Sequence, residues 1–196
     1  MSNIFFASDH HFHHANILNF KRDDGTPLRV FDDVNHMNEY MVMQHNRVVK
    51  PNDKVYFLGD VTMPKNAEAL KILGRMNGEK ILIKGNHDGC KVSQYMEYFK
   101  DIRGVYHIEG FVMSHVPLHP DSLDRWGINL HGHLHQREVM VRGFNNKPIG
   151  PDTKYFSVCM ERLKDYQPIS LEEIKKQCLV REQHSHYYFD LDRNKG

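Results

Sequence analysis

A short apolar segment followed at once by polar residues occurs five times along the chain. The segments are 3–8, 54–58, 80–84, 110–113 and 128–130, and the residues that follow them are rich in Asp, Asn and His. Apolar runs of this length predict buried β-strands. Because ligands of open α/β sheets gather beyond the carboxyl ends of the strands, the pattern predicts one site built from several strand ends.

Segments with helical spacing of apolar residues lie between the strands. We predict helices over 33–49, 65–76, 92–99 and 170–178, with Asp32 or Asp33 as the N-cap of the first and Ser170 opening a capping box in the last. Strands that alternate with helices predict an α/β or mixed α+β layered fold. Two further strands are expected at 137–142 and 154–160, around the turn 143–146, and one more at 186–191.

The bulk composition sets limits on function. The 196 residues are enough to bury a large core, and no linker-like or repetitive stretch divides them, so we expect one domain over 1–196. The formal net charge of +1 gives no general attraction to nucleic acid or to a membrane surface. No apolar run approaches the roughly 20 residues of a membrane span. Three widely separated cysteines, Cys90, Cys159 and Cys178, favour a reducing compartment, and we expect the protein in the cytoplasm.

The fifteen histidines are the strongest chemical signal. Many of them stand beside Asp, Asn or Gly in the polar clusters, as in Asp9-His10-His11 and Gly132-His133-Leu134-His135. Imidazole and carboxylate groups together are typical ligands of borderline divalent metals. Because the clusters offer more ligands than one ion needs, they favour a hydrolase site with two metal ions.

The order of the clusters resembles the calcineurin-like metallophosphoesterase superfamily. The residues that carry the resemblance are Asp9-His10-His11, Gly59-Asp60, Gly85-Asn86-His87-Asp88, His115 and Gly132-His133-Leu134-His135. The longer run from Asp9 to Asn16 is similar to a compact bacterial and bacteriophage branch of that superfamily. If the chain is phage-encoded, the expected location is the host cytoplasm.

The resemblance implies a four-layer fold in which two mixed β-sheets are flanked by helices. It also implies one metal ion held by Asp9, His11, Asp60 and His135, and a second held by Asp60, Asn86, His115 and His133. The ions implied are Mn²⁺, Fe or Zn²⁺, with Ni²⁺ or Mg²⁺ as further candidates.

Roles beyond metal binding are expected as well. His87 is expected to act as general acid or to stabilise developing charge, and Asp88 is the nearest candidate to orient it. Asn86, His14, Asn16 and Arg125 are candidate contacts for the substrate. For Arg125, which precedes the single Trp of the chain, an exposed structural position is the favoured alternative.

The function expected from these residues is a dinuclear phosphodiesterase that cleaves small nucleotide or cyclic-nucleotide phosphodiesters by attack of a metal-bridged hydroxide. A phosphomonoesterase is the first alternative and a nuclease the second. A non-catalytic scaffold is disfavoured because every ligand of the pattern is present. The expected partner is a small phosphorylated substrate, without a membrane or an extended nucleic-acid surface, and a homodimer stays open.

Overall fold

Two mixed β-sheets form the centre of the protein in the computed structural model, which describes residues 2–63, 65 and 67–181. The strands are β1 (Ile4–Ala7), β2 (Lys54–Phe57), β3 (Glu79–Ile83), β4 (Asp101–Arg103), β5 (Val105–Ile108), β6 (Phe111–Ser114), β7 (Ile128–His131), β8 (Met140–Arg142), β9 (Pro148–Pro151), β10 (Tyr155–Ser157) and β11 (Ile169–Ser170). The α-helices are α1 (Val34–Val48), α2 (Ala67–Leu70), α3 (Val92–Tyr95) and α4 (171–181). Short 3₁₀-helices lie at Ala15–Asn19, Lys71–Arg75, Pro120–Ser122, Phe144–Asn146, Met160–Arg162 and Lys164–Tyr166.

The first sheet has five strands in the order β11-β1-β2-β3-β4, and the second has four in the order β10-β7-β6-β5. In the first sheet β1 to β4 are parallel and β11 is antiparallel to β1. In the second sheet β10, β7 and β6 are parallel and β5 is antiparallel to β6. Two mixed sheets with helices confirm the predicted fold class.

The alternation of side chains along the strands separates two large cores. In β1, Phe5 and Ala7 pack into one cluster with α1, whereas Phe6 packs into another with residues of the second sheet such as Met113 and Phe156. Successive residues of a strand point to opposite faces. The first sheet therefore has α1 on its outer face and the second sheet on its inner face.

The outer face of the second sheet carries a smaller apolar cluster. Val112 and Tyr155 are buried there with Leu123, and the partly buried Trp126 packs against them. These covering residues come from irregular chain around the 3₁₀-helix Pro120–Ser122. A position for Trp126 in a core beside an exposed Arg125 agrees with the favoured alternative for that pair.

Both predicted helix N-caps are confirmed. Asp33 accepts hydrogen bonds from the backbone N–H groups of Asn35 and His36, each at 2.8 Å, at the start of α1. The Ser170 hydroxyl accepts from the Glu173 N–H at 3.2 Å at the start of α4. Each cap satisfies backbone donors that have no partner inside the helix.

The segment 65–76 is less regular than predicted. After the single turn of α2, the chain tightens into a 3₁₀-helix over Lys71–Arg75. Leu70, Leu73 and Met76 are buried in the same core. Their spacing of three residues matches the period of a 3₁₀-helix, which places all three on one face.

The two strands predicted around the turn 143–146 are both present, as β8 and β10, but they do not pair with each other. β8 pairs with β9, and β10 instead adds to the second sheet in parallel with β7. The strand β9 was not predicted because it contains Pro148, Gly150 and Pro151, residues typical of turns. A two-stranded ribbon tolerates proline because its outer edge needs no N–H donor.

Strands β4 and β5 were also not predicted, and the predicted strand at 186–191 lies outside the described residues. No helix within the described part of the chain is long and apolar enough to cross a membrane. The cysteines Cys90, Cys159 and Cys178 are buried and form no disulfide with one another.

A buried histidine makes the fold sensitive to acid. The His45 ring is 1% exposed, stacks on Phe57 with centroids 5.9 Å apart, and donates through Nε2 to the carbonyl of Asn77 at 2.9 Å. Burial disfavours the charged imidazolium and lowers the pKa of His45 from 6.5 to about 4, although the Asn77 carbonyl opposes the shift.

We predict that this histidine makes the free energy of unfolding fall as the pH falls from 6.5 towards 4. The unfolded chain takes up the proton first, so the stabilisation is complete above pH 6.5. A shift of this size corresponds to about 3 kcal/mol lost by pH 4. Urea unfolding at a series of pH values measures the slope. His45→Gln should flatten the pH dependence, and His107→Gln, at an exposed position of β5, should leave it unchanged.

Candidate dinuclear metal site

The carboxyl ends of β1, β2, β3, β6 and β7 converge, as their sequence pattern predicts. Beyond the strands, backbone hydrogen bonds continue from one loop to the next. Asp9 N–H donates to the Gly59 carbonyl at 3.0 Å, and His11 N–H donates to the Asp60 carbonyl at 3.0 Å. Gly132 N–H donates to the carbonyl of His115 at 2.9 Å in the second sheet. The polar side chains of all five strand ends therefore share one region.

Two groups of side chains have an arrangement that could hold metal ions. The first group is Asp9, His11 and His135, and the second is Asp60, His115 and His133. Within each group, one donor atom from each residue lies within 4.8 Å of the others. Each group could hold one ion, which is consistent with a dinuclear site.

The Asp60 carboxylate lies between the two groups. Its Oδ2 is 3.3 Å from His115 Nε2 and 3.8 Å from His11 Nε2. One oxygen thus faces an imidazole from each group, which is the position a bridging ligand requires.

Asn86 joins the second group through its side-chain oxygen. Asn86 Oδ1 lies 2.9 Å from His115 Nε2 and 3.1 Å from His133 Nδ1. The structure therefore brings together all seven residues proposed as ligands, which are Asp9, His11, Asp60, Asn86, His115, His133 and His135.

Several buried oxygen and nitrogen atoms of side chains in this region lack a hydrogen-bond partner within the described residues. They include Asp9 Oδ1 and both ring nitrogens of His11. Asp9 Oδ1 is 3.7 Å from His11 Nε2, which is too long for a hydrogen bond. Buried polar groups are rarely left unpaired because desolvation then has no compensation. Oxygen and imidazole nitrogen donors of this kind fit divalent cations.

The electrostatics of the site favour positive charge. Burial by itself would raise the pKa of Asp9, but the neighbouring His11 and His115 outweigh it and hold that pKa well below its usual value. Burial likewise opposes protonation of His115, yet its interaction with Asp60 raises the pKa of His115 to about 9. The two carboxylates are thus ionised at neutral pH and can attract cations.

Glycines permit the close approach of the loops. A Cβ atom at Gly85 would overlap Asp60 Oδ1, and one at Gly132 would overlap both the Ser8 hydroxyl and Asp9 Oδ2. These glycines therefore admit the carboxylates of the site itself.

Five of the seven proposed ligands have left-handed backbone conformations. The φ angles are 59° at Asp9, 52° at His11, 53° at Asp60, 70° at His133 and 52° at His135. Asp and His tolerate this region better than most residues, but it still disfavours any side chain with a Cβ. The surrounding hydrogen bonds therefore hold the ligands in place against a local conformational cost.

His87 lies next to the first group with an exposed side chain. Its ring centroid is 5.7 Å from that of His11, and its backbone N–H donates to Asp60 Oδ1 at 2.8 Å. This position leaves the ring accessible from solvent at the edge of the site.

The predicted role of Asp88 in orienting His87 does not fit the structure. The Asp88 carboxylate is buried and accepts backbone N–H groups from Asp60 at 3.0 Å, Val61 at 3.0 Å and Gly85 at 2.8 Å. His87 is exposed and Asp88 is buried, so the two adjacent side chains face different surroundings. Asp88 holds the two loops together instead.

The remaining candidates for substrate contact have different surroundings. His14 is half-buried with its ring centroid 5.5 Å from that of His11, so it borders the site. Asn16 and Arg125 are exposed, and within the described residues neither side chain makes a hydrogen bond or ion pair. A substrate role for these three residues stays a prediction.

Two charged residues of the site were not predicted. Arg29 is buried and donates to the carbonyl of Asp9 and, at 2.8 Å, to Glu161 Oε1. Glu161 Oε1 in turn lies 3.0 Å from His135 Nδ1. Glu161 follows the predicted strand 154–160, so the strand-end pattern could have indicated it. Arg29 follows no strand and had no such signal.

A cysteine also contacts a proposed ligand. The Cys159 thiol donates to Asp9 Oδ2 at 3.2 Å, and the same oxygen accepts the backbone N–H of His133 at 2.9 Å. Burial raises the pKa of Cys159 well above its usual range, so it stays a thiol. It orients Asp9 and leaves Oδ1 available.

Fold and site together define a mixed α/β protein with two adjoining groups of potential metal ligands. No family model matches the chain. It is 35% identical over 178 residues to "Uncharacterized protein MJ1445" of Methanocaldococcus jannaschii, which covers 90% of this chain and 91% of that protein. The chain therefore belongs to the same family as that archaeal protein.

Two further proteins are similar. "Gene 66 protein" of Mycobacterium phage L5 is 26% identical over 183 residues, which cover 76% of this chain and 85% of the phage protein. The crystal structure of the "Protein of Unknown Function AQ665" from Aquifex aeolicus aligns with a TM-score of 0.64 at 27% identity, over 90% of this chain and 100% of that one.

We predict that the left-handed backbone at His133 is measurable as strain. His133→Gly and His133→Ala remove the same side chain, but only the alanine keeps a Cβ at φ = 70°. In the presence of a chelator, the glycine variant should be more stable by about 1 kcal/mol in urea unfolding. At His119, where φ is −60°, the order should reverse, with alanine the more stable. A His133→Ala variant at least as stable as His133→Gly would contradict the strain argument.

Proposed function

We propose that this protein is a metal-dependent phosphoester hydrolase with a dinuclear site. The observation that carries the proposal is the junction of two Asp/His groups at the Asp60 carboxylate, beside the exposed ring of His87. Two cations a few ångströms apart, with a titratable group at their edge, suit the cleavage of phosphate esters.

The residues fit the two ions as follows. Asp9, His11, Asp60 and His135 would hold one ion, and Asp60, Asn86, His115 and His133 would hold the other. Bound divalent ions would supply Lewis acidity toward the phosphate oxygens and would lower the pKa of water. The mixed nitrogen and oxygen donors favour Mn²⁺, Fe or Zn²⁺, with Ni²⁺ or Mg²⁺ as weaker candidates.

The protein's own groups would position the substrate and move a proton. His87 is the proposed general acid because its ring is exposed beside His11 while its backbone is fixed by Asp60. As the bond from phosphorus to the leaving oxygen breaks, His87 would donate its proton to that oxygen. Asn86 and His14 border the same space and are proposed to contact the phosphate or the leaving group.

The proposed substrate is a small phosphodiester, such as a nucleotide or cyclic nucleotide. Asn86, His87 and His133 are all exposed, so the site opens to solvent and leaves room for a group on either side of the phosphate. The near-neutral charge of the chain supports a small substrate over an extended strand of nucleic acid. If the protein is instead a phosphomonoesterase or a nuclease, it should cleave monoesters or nucleic acid in preference to small diesters.

We further propose a cytoplasmic location.

We predict that hydrolysis depends on added metal and on Asp60. After treatment with a chelator, Mn²⁺ should restore hydrolysis of bis(4-nitrophenyl) phosphate and of 2′,3′-cyclic nucleotides, with slower turnover of 4-nitrophenyl phosphate. Asp60→Asn should lower the rate to background because both ions lose a charged ligand. Asp124→Asn, at an exposed position, is the matched control and should keep full activity. Absence of hydrolysis of every one of these esters at full metal loading would refute the proposed activity.

We predict that His87→Ala retains both metal ions but loses activity. The loss in kcat should be about 10²–10⁴-fold for substrates with poor leaving groups, because these need protonation most. It should be much smaller for 4-nitrophenolate, a good leaving group. His119→Ala, an exposed histidine elsewhere, should have no effect. Equal losses across leaving groups would argue against a general acid.

A further inference from the structure

A buried ion pair lies directly behind one of the two ligand groups. Arg29 and Glu161 are 132 residues apart in sequence, and both side chains are 0% exposed. Arg29 Nη2 is 2.7 Å from Glu161 Oε1, and Nε is 2.8 Å from the same oxygen. Two nitrogens of the guanidinium therefore converge on one carboxylate oxygen.

The arginine end of this pair holds the loop that carries Asp9. Arg29 Nη2 donates to the Asp9 carbonyl, and Nη1 donates to the His10 carbonyl at 2.7 Å. These carbonyls lie between the left-handed residues Asp9 and His11. A planar guanidinium has fixed donors on three nitrogens and can reach two carbonyls and a carboxylate on different sides, whereas an ammonium group has all its donors on one nitrogen.

The glutamate end of the pair holds a proposed ligand through its side chain. Glu161 Oε1 accepts a hydrogen bond from His135 Nδ1–H at 3.0 Å. This bond fixes the tautomer in which His135 Nε2 carries the lone pair and is available to an ion. A carboxylate behind a ligating imidazole orients the ring and raises its basicity.

In the second ligand group, the His115 ring is held through Nδ1 by a backbone carbonyl and not by a carboxylate. His115 Nδ1 donates to a backbone carbonyl, that of Leu58, at 2.7 Å. Within the described residues, no charged pair links Arg29 or Glu161 to His115 or His133. Among the proposed ligands, the Arg29–Glu161 pair thus directly contacts only Asp9 and His135, which both belong to the first group.

We propose that Arg29 and Glu161 are positioning residues for the ion held by Asp9, His11 and His135, and that they set the affinity of this ion without affecting the other. The inference rests on the proposed dinuclear site. A role confined to stabilising the fold does not explain why both ends of the pair terminate on proposed ligands of the same group. Buried ion pairs in general are weak contributors to stability.

The test measures Mn²⁺ binding to the metal-free protein. Equilibrium dialysis gives the affinities, and elemental analysis counts the bound ions. The wild type should bind two ions. Glu161→Gln should bind one ion with wild-type affinity and the other at least about tenfold more weakly. Arg29→Lys should show the same selective loss. His133→Ala should weaken the other ion instead, and combining it with Glu161→Gln should weaken both.

Matched controls separate positioning from general damage. Glu39→Gln breaks an exposed ion pair with Arg75 and should leave both affinities unchanged. Near-ultraviolet circular dichroism of each variant checks that the fold is kept. Wild-type affinity for both ions in Glu161→Gln, or equal weakening of both, would overturn the proposal, as would unfolding of both Glu161→Gln and Arg29→Lys.

The number of bound ions tests the positioning role separately from the hydrolase activity. A wild type that binds two Mn²⁺ ions but cleaves no phosphoester would reject the activity and leave the positioning role in place. A wild type that binds no Mn²⁺ would overturn both.

Discussion

The carboxylate of Asp88 is the interaction on which the geometry of the site depends. It accepts three backbone N–H groups, from Asp60, Val61 and Gly85, and so joins the loop after β2 to the loop after β3. Burial raises the pKa of Asp88, and the three donors oppose that shift by favouring the ionised form. Together with the bond from the His87 N–H to Asp60 Oδ1, this connection holds Asp60 beside Asn86 in the second ligand group.

The sequence was sufficient for the main strands and for the region of the site because both depend on local patterns, whereas the individual ligands were named from the family resemblance. Apolar runs ending in Asp, Asn or His mark the strand ends, and parallel strands bring those ends to one edge. Asp60 and His115 could therefore be placed together although they come from different sheets. The N-caps at Asp33 and Ser170 were predictable for the same reason, since their partners lie only two or three residues away.

The unpredicted features depend on contacts that no local pattern encodes. Arg29 follows no strand and looks like an ordinary surface charge in the sequence, and only the folded chain buries it against Glu161. β10 was predicted as a strand, but its place beside β7 depends on tertiary pairing. Asp88 was given the wrong role because proximity in sequence to His87 does not determine where the carboxylate points.

The left-handed ligands have a consequence for how this protein can change over evolutionary time. At each of these five positions, a glycine would fit the backbone better than the residue present. A lineage released from selection for metal binding therefore has several single-step routes to a more stable protein, each of which destroys the site. The presence of Asp or His at all five positions is the pattern expected where function opposes drift toward stability. Stability and function are thus in direct competition at the same few backbone angles.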